Sequence, residues 1–271
     1  MKIQIYEIQT VAEARTMLEL GVDHIGSVLV SSDQWRDEPL QEAIATVRAA
    51  GAKSSLIPLF QDVDVIGRAI DFYHPDIIHF CDALPSANVE DPTVAAALEL
   101  QRQIRRRFPD VAVMRSIAIG EQGRGDALPS LALAELFEPL SDWFLTDTVL
   151  CDKNGGDGPD EQPVSGFVGI TGRICDWGVA RELVRRSAVP VILAGGIGPH
   201  NVRAGIAQVG PAGVDSCTLT NAVDARGRPI RFKKDPRKVG AMVSAVRETV
   251  ALAGGDASIG QQRFNVQRPT I

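Results

Sequence analysis

Pro190-Val-Ile-Leu-Ala-Gly-Gly-Ile-Gly-Pro-His-Asn-Val202 is an apolar run that stops at two glycines, with a helical pattern opening near Pro199. Paired glycines let backbone N–H groups approach an anion closely. The N-terminus of the following helix adds favourable partial charge. The next apolar run, Gly213-Val-Asp-Ser-Cys-Thr-Leu219, carries small polar residues at its end. Two neighbouring βα units built this way match the recurrent phosphate site after strands seven and eight of a (β/α)₈ barrel.

Along the rest of the chain, short runs rich in Val and Ile alternate with amphipathic segments. The expected strands are Lys2–Tyr6, His24–Val30, Ser54–Phe60, Asp76–Cys81, Val111–Ile119, Asp142–Asp147, Val189–Ala194 and Gly213–Leu219. Apolar runs of this length fit buried parallel strands. The expected helices are Val11–Leu20, Leu40–Ala50, Val63–Tyr73, Pro92–Arg107, Leu131–Phe137, Trp177–Arg186, Pro199–Val209 and Pro236–Ala253. Thr10 with Glu13 has the spacing of a capping box. Gly21 and Gly51 suit left-handed helix ends. Pro92, Pro199 and Pro236 suit first turns, where a missing N–H costs nothing. Arg105-Arg106-Arg107 sits at a helix end, where cations offset the dipole.

Strict alternation predicts a parallel sheet covered by helices. A doubly wound open sheet gives the same pattern, so alternation alone leaves both open. With 271 residues the chain has the size of one eightfold barrel. The expected organisation is a single barrel over residues 1–253 with a polar tail over 254–271. Val149–Phe167 reads as a long Gly- and Asp-rich loop, and Asp152–Asp160 within it as a lid with a weak likeness to a calcium loop.

The net charge of −6 gives no reason to expect a nucleic-acid partner. The four cysteines, Cys81, Cys151, Cys175 and Cys217, show no CxxC spacing, so neither a disulfide framework nor a zinc knuckle is expected. Cys175 and Cys217 read as small buried hydrophobes in preference to reactive thiols. The N-terminus shows no signal-peptide pattern, and no run of about 18 apolar residues suggests a membrane span. The expected setting is cytoplasmic, with no membrane partner.

Several segments together resemble phosphoribosylanthranilate isomerase, a tryptophan-biosynthesis family. Lys2–Thr10 continuing to Leu18-Glu-Leu-Gly-Val-Asp-His-Ile-Gly26 resembles its opening "KxCGIT…A…LGAD.IGF". Gly169-Ile-Thr-Gly-Arg-Ile-Cys-Asp-Trp177 is similar to its "GGTGxxFDW". Pro75–Cys81, Phe144-Leu-Thr-Asp147, Leu193–Ile197 with Asn201-Val202, and Gly213-Val-Asp215 resemble its later strands. The likeness spans roughly residues 1 to 250. It implies a TIM barrel performing an Amadori aldose–ketose isomerisation on a phosphorylated small-molecule substrate, with no cofactor, as a monomer or homodimer.

The resemblance implies that Asp147 is the general acid, which needs a raised pKa. It places Gly172, Gly195, Gly196, Cys217 and Thr218 around phosphate, and Arg36, His79, Asp82 and Asp215 against the rest of the substrate. Departures from the pattern are specific. Tyr6 stands where the family has its cysteine base, and Glu7 at the adjacent glycine, so either is a candidate base. Tyrosine, which ordinarily titrates at about 10, is the poorer one. Glu7 on a regular strand would point away from Tyr6's face. Arg36 is displaced from the family's "SPR" arginine. Leu219 replaces a glycine that allows close approach to phosphate. Glu7, Asp82, Asp147 and His79 would also suit Mg²⁺ or Mn²⁺ at the barrel mouth, although His79 as a hydrogen-bonded core residue is the plainer reading. Three functions therefore stay open: the isomerase, a metal-assisted lyase or aldolase on a phosphorylated substrate, and a non-catalytic binder of a phosphorylated ligand.

Overall fold

A computed structural model describes residues 1–84, 87–150 and 163–262, with side chains described to Leu252. Cys151, the expected lid and calcium-like loop Asp152–Asp160, and residues 263–271 lie outside the described residues.

Eight parallel strands close into a barrel: β1 (Lys2–Ile5), β2 (His24–Leu29), β3 (Lys53–Pro58), β4 (Ile77–Phe80), β5 (Ala112–Gly120), β6 (Trp143–Val149), β7 (Val191–Leu193) and β8 (Gly213–Ser216). Closure is direct, with Lys2 opposite Gly213 and Ile5 opposite Ser216. This settles the choice between barrel and open sheet. The helices are α1 (Val11–Glu19), α2 (Glu38–Ala49), α3 (Val63–Tyr73), α4 (Pro92–Arg107), α5 (Ser130–Phe137), α6 (Trp177–Arg186), α7 (Val202–Val209) and α8 (Pro236–Gln262).

Side-chain alternation on the strands divides the apolar residues in two. Tyr6, Ile77, Met114, Leu145, Ile192 and Ala194 fill the barrel interior. Ile3, Ile5, Leu193 and Val214 face outward and pack under the helices. Thr10 caps α1, with Glu13 N donating to Thr10 Oγ1, while Glu13 Oε2 accepts from the Thr10 hydroxyl and from Gln9 N, one residue before the N–H of a full capping box. Arg105 in the last turn of α4 reaches Asp142 at 2.8 Å.

Four expectations need correction. Strand eight stops at Ser216, because Thr218–Thr220 form a 3-10 turn in which Thr220 Oγ1 donates to the Cys217 carbonyl. Helix seven opens at Val202, three residues after Pro199. Asn201 braces that preceding turn, accepting from Gly198 N and donating to the Gly196 carbonyl. The last helix runs to Gln262, so the segment expected as a tail from Gly254 begins as helix. An antiparallel hairpin, β9 (Asn221–Val223) with β10 (Pro229–Lys234), stands between β8 and α8, outside the eightfold pattern. No helix among the described residues is long and apolar enough to cross a membrane.

Candidate active site

The C-terminal ends of the strands border two adjoining chambers, of about 530 and 320 Å³ counted out to their mouths. The smaller is walled by Thr171, Gly172, Ala194–Ile197 and Ser216–Leu219. The sequence brings Gly172, Gly195, Gly196, Cys217 and Thr218 together as expected. Gly195 and Gly196 take φ +80° and +63°, a region that L side chains rarely enter. A Cβ on Gly196 would meet the Arg173 backbone closer than 3.0 Å. The Ser216 hydroxyl is buried without a partner among the described residues. Leu219 borders this chamber and lies beside Gly198.

The larger chamber is mostly apolar, with Val28, Ile57, Leu59, Leu145, Phe167 and Val168 on its walls. Asp147, Ile170, Asp215 and Cys217 border both chambers. Asp147 lies on β6 with the same parity as the inward-facing Leu145, and Gly169 lies so close that a Cβ there would meet its carboxylate. Burial raises the Asp147 pKa to about 7, against a backbone hydrogen bond from Thr148 N at 2.8 Å. Asp215, buried on β8, is raised to about 8 by burial and then by the charge of Asp147. Its Oδ1 has no partner among the described residues. Two carboxyls with raised pKa values therefore face one cavity, an arrangement suited to acid–base work.

The two expected bases are placed otherwise. Tyr6 lies inside the barrel against Gly26, its hydroxyl 2.5 Å from Ser55 Oγ and 2.7 Å from His79 Nδ1. Burial pushes its pKa well above 10, so it is no base near neutrality. Glu7 lies past the end of β1 at φ +64°, so strand parity does not apply to it. Its carboxylate is buried and accepts from Arg231 Nε at 2.7 Å and Phe232 N at 3.3 Å. Burial pushes its pKa up, but Lys234 and Arg231 overcome that and leave it lowered. A weakly basic carboxylate tied to two cations makes a better anchor than a proton acceptor.

The other expected contacts divide. His79 borders the larger chamber but is hydrogen-bonded on both ring nitrogens, to Tyr6 and Ser116. Burial and then Arg115 lower its pKa to about 3, so it stays neutral. Asp82 is turned away from the chambers and pairs with buried Arg115 at 2.7 Å. Arg36 is exposed, paired with Glu38 at 3.1 Å and stacked over Phe72, and borders neither chamber. Arg36→Ala is therefore expected to change KM by no more than about twofold, as for an ordinary surface substitution; a tenfold rise in steady-state kinetics would return this arginine to the site. With Glu7 and Asp82 each spent on an arginine, the carboxylates do not converge on a metal. Among the described residues no cluster of three His, Cys, Asp or Glu is placed to hold one. Burial raises the Cys175 thiol to about 12 and Cys217 higher still, which leaves both protonated.

Two features of the site have no counterpart among the expected residues. Ile170 stands where the family pattern has a glycine and keeps φ +63°, a strained conformation for a β-branched residue. Arg231 reaches the larger chamber from the hairpin. Its signal was Asp224-Ala-Arg-Gly-Arg228, a Gly-containing turn ahead of the alternating Ile230-Arg-Phe-Lys233.

A family model described as N-(5'-phosphoribosyl)anthranilate (PRA) isomerase matches residues 135–245, the part that carries β6 to β8. The N-(5'-phosphoribosyl)anthranilate isomerase of Methanopyrus kandleri is 30% identical over 224 residues, covering 80% of this chain and 88% of that protein. The phosphoribosyl anthranilate isomerase of Thermotoga maritima superposes with a TM-score of 0.61 at 18% identity, over 91% of this chain and 98% of that one. A crystal structure of such an isomerase in complex with reduced 1-(o-carboxyphenylamino)-1-deoxyribulose 5-phosphate superposes with a TM-score of 0.60 at 17% identity, over 91% and 98%.

Proposed function

This chain belongs to the N-(5'-phosphoribosyl)anthranilate isomerase family, and from that premise we propose that it converts a phosphoribosyl aryl amine to the aminoketose phosphate by an Amadori rearrangement. One observation carries the reading at the level of residues: Asp147 and Asp215, both with raised pKa values, lie between a glycine-lined polar chamber and an apolar one.

The phosphate sits against Gly195, Gly196, Gly172 and Thr218, and the aryl group enters the larger chamber. Asp147 donates its proton to the ribose ring oxygen. The C1–O bond breaks while the nitrogen lone pair forms a C1=N iminium. In the microstate where the single proton of the pair lies on Asp147, Asp215 is ionised; it takes the proton from C2, and the C–H electrons flow into the iminium to give an enolamine. Proton return to C1 and loss of the proton on the C2 oxygen complete the ketone. No electrons leave the substrate, so no oxidant is needed. Acid and base each supply about 10²–10⁴-fold. Asp215 thus takes the role for which Glu7 and Tyr6 were candidates.

Two assays test the activity together: growth rescue of a tryptophan auxotroph lacking this isomerase, and consumption of N-(5'-phosphoribosyl)anthranilate by the purified protein. Rescue with turnover is expected; neither, from a folded protein, ends the proposal. For the cradle, Gly196→Ala is expected to raise KM at least about tenfold, the loss of one good polar contact, and to remove thermal stabilisation by inorganic phosphate. Unchanged stabilisation by phosphate would place the anion elsewhere.

A further inference from the structure

The acid–base steps leave the hairpin unused, yet it delivers one guanidinium to the larger chamber. Arg231 Nε is fixed on Glu7 at 2.7 Å, while its Nη2 is buried and has no partner among the described residues. The guanidinium also lies over the Phe232 ring, 4.7 Å from its centroid. Glu7 and Phe232 both hold left-handed backbone, at φ +64° and +58°. Strain of this kind persists where the surroundings over-determine a position, and here both strained residues grip the same side chain.

The charges point to a ligand. Glu7 is one carboxylate facing two cations, Arg231 at 2.7 Å and Lys234 at 4.0 Å. Lys234 is spent, since Nζ donates to the Cys217 carbonyl at 2.9 Å and to Asn221 Oδ1 at 2.5 Å. The cluster carries one surplus positive charge, and Arg231 holds the open donor. Beside it the chamber wall is apolar, formed by Val28, Leu59, Phe167 and Val168. A flat ring fits such a wall, and an anionic group on that ring meets a planar fork suited to carboxylate.

We infer that Arg231 binds the carboxylate of the substrate's aryl amine and that Glu7 is its positioning residue. The inference rests on the isomerase reading and deepens it, because it names what selects the aglycone. The probes are reduced 1-(o-carboxyphenylamino)-1-deoxyribulose 5-phosphate and the same compound without its carboxyl group, titrated calorimetrically. The unaltered protein is expected to prefer the carboxylated compound. Arg231→Gln loses about 10–100-fold toward that compound, the range of a charged hydrogen bond, and nothing toward the other. Arg231→Lys recovers part of the preference, and it reads the same discrimination if Arg231→Gln does not fold. Glu7→Gln lowers the preference without abolishing it. Equal losses toward both compounds, or no loss, overturn the assignment and leave the isomerase reading standing. Failure of the unaltered protein to bind either compound overturns both.

Discussion

Asp147→Asn is expected to lower kcat by about 10²–10⁴-fold with little change in KM, since general acid catalysis has that worth. The substitution keeps the shape of the side chain, and its carbonyl oxygen can still accept from Thr148 N, which now donates to Oδ1 at 2.8 Å. Only the acidic proton is lost. The charge of Asp147 also helps to hold the Asp215 pKa up, so the variant should titrate Asp215 at lower pH. In the unaltered protein the two carboxyls share one proton across the interval from about 7 to about 8. The limbs of a kcat/KM profile therefore belong to the pair, with the maximum expected inside that interval. Steady-state kinetics between about pH 5 and 10 make the check. A kcat within threefold of the original would remove Asp147 from the chemistry.

Asp215→Asn is expected to lose a similar factor in kcat and, unusually, to gain stability at alkaline pH. The sign follows from burial. An unfolded aspartate titrates near 3.9, whereas in the folded chain Asp215 holds its proton to about 8. Below about pH 4 both states are protonated and this group does not oppose folding. As pH rises from there to about 8, the unfolded chain ionises first and the advantage of the protonated folded state drains away. Asparagine carries no such liability. At about pH 8.5 the variant should exceed the original by about 1–3 kcal/mol, a conservative share of the cost of burying a charge. At about pH 4 the two should match. Thermal melts at both values decide it, and a lower melting temperature for the variant at high pH would mean that Asp215 is held as an ion.

Much of this was legible in the sequence. The eight Val- and Ile-rich runs located the strands, and the Gly195-Gly196 pair located the glycine-lined chamber, because both signals are local. Closure of the sheet was not local. It rests on β1 meeting β8, 211 positions apart from Lys2 to Gly213, and the family pattern supplied that expectation. The surroundings of Glu7 were not readable from β1, because the cations that hold it, Arg231 and Lys234, come from a hairpin more than 220 positions away. Asp215 was given a binding role because its burial beside Asp147, with Oδ1 left open, is a property of the assembled barrel. Arg36 sat near the expected place in the chain, but its local partners Glu38 and Phe72 hold it on the surface.

The pairing of Glu7 with Arg231 spans 224 positions, and this has a consequence during synthesis. A nascent chain leaves the ribosome with its first strand lacking a neighbour on one side and a strained glutamate lacking its counter-cations. Both wait until the chain has been made as far as Lys234. The mouth of the barrel is thus completed only after β8 and the hairpin have been made, later than every other strand of the barrel.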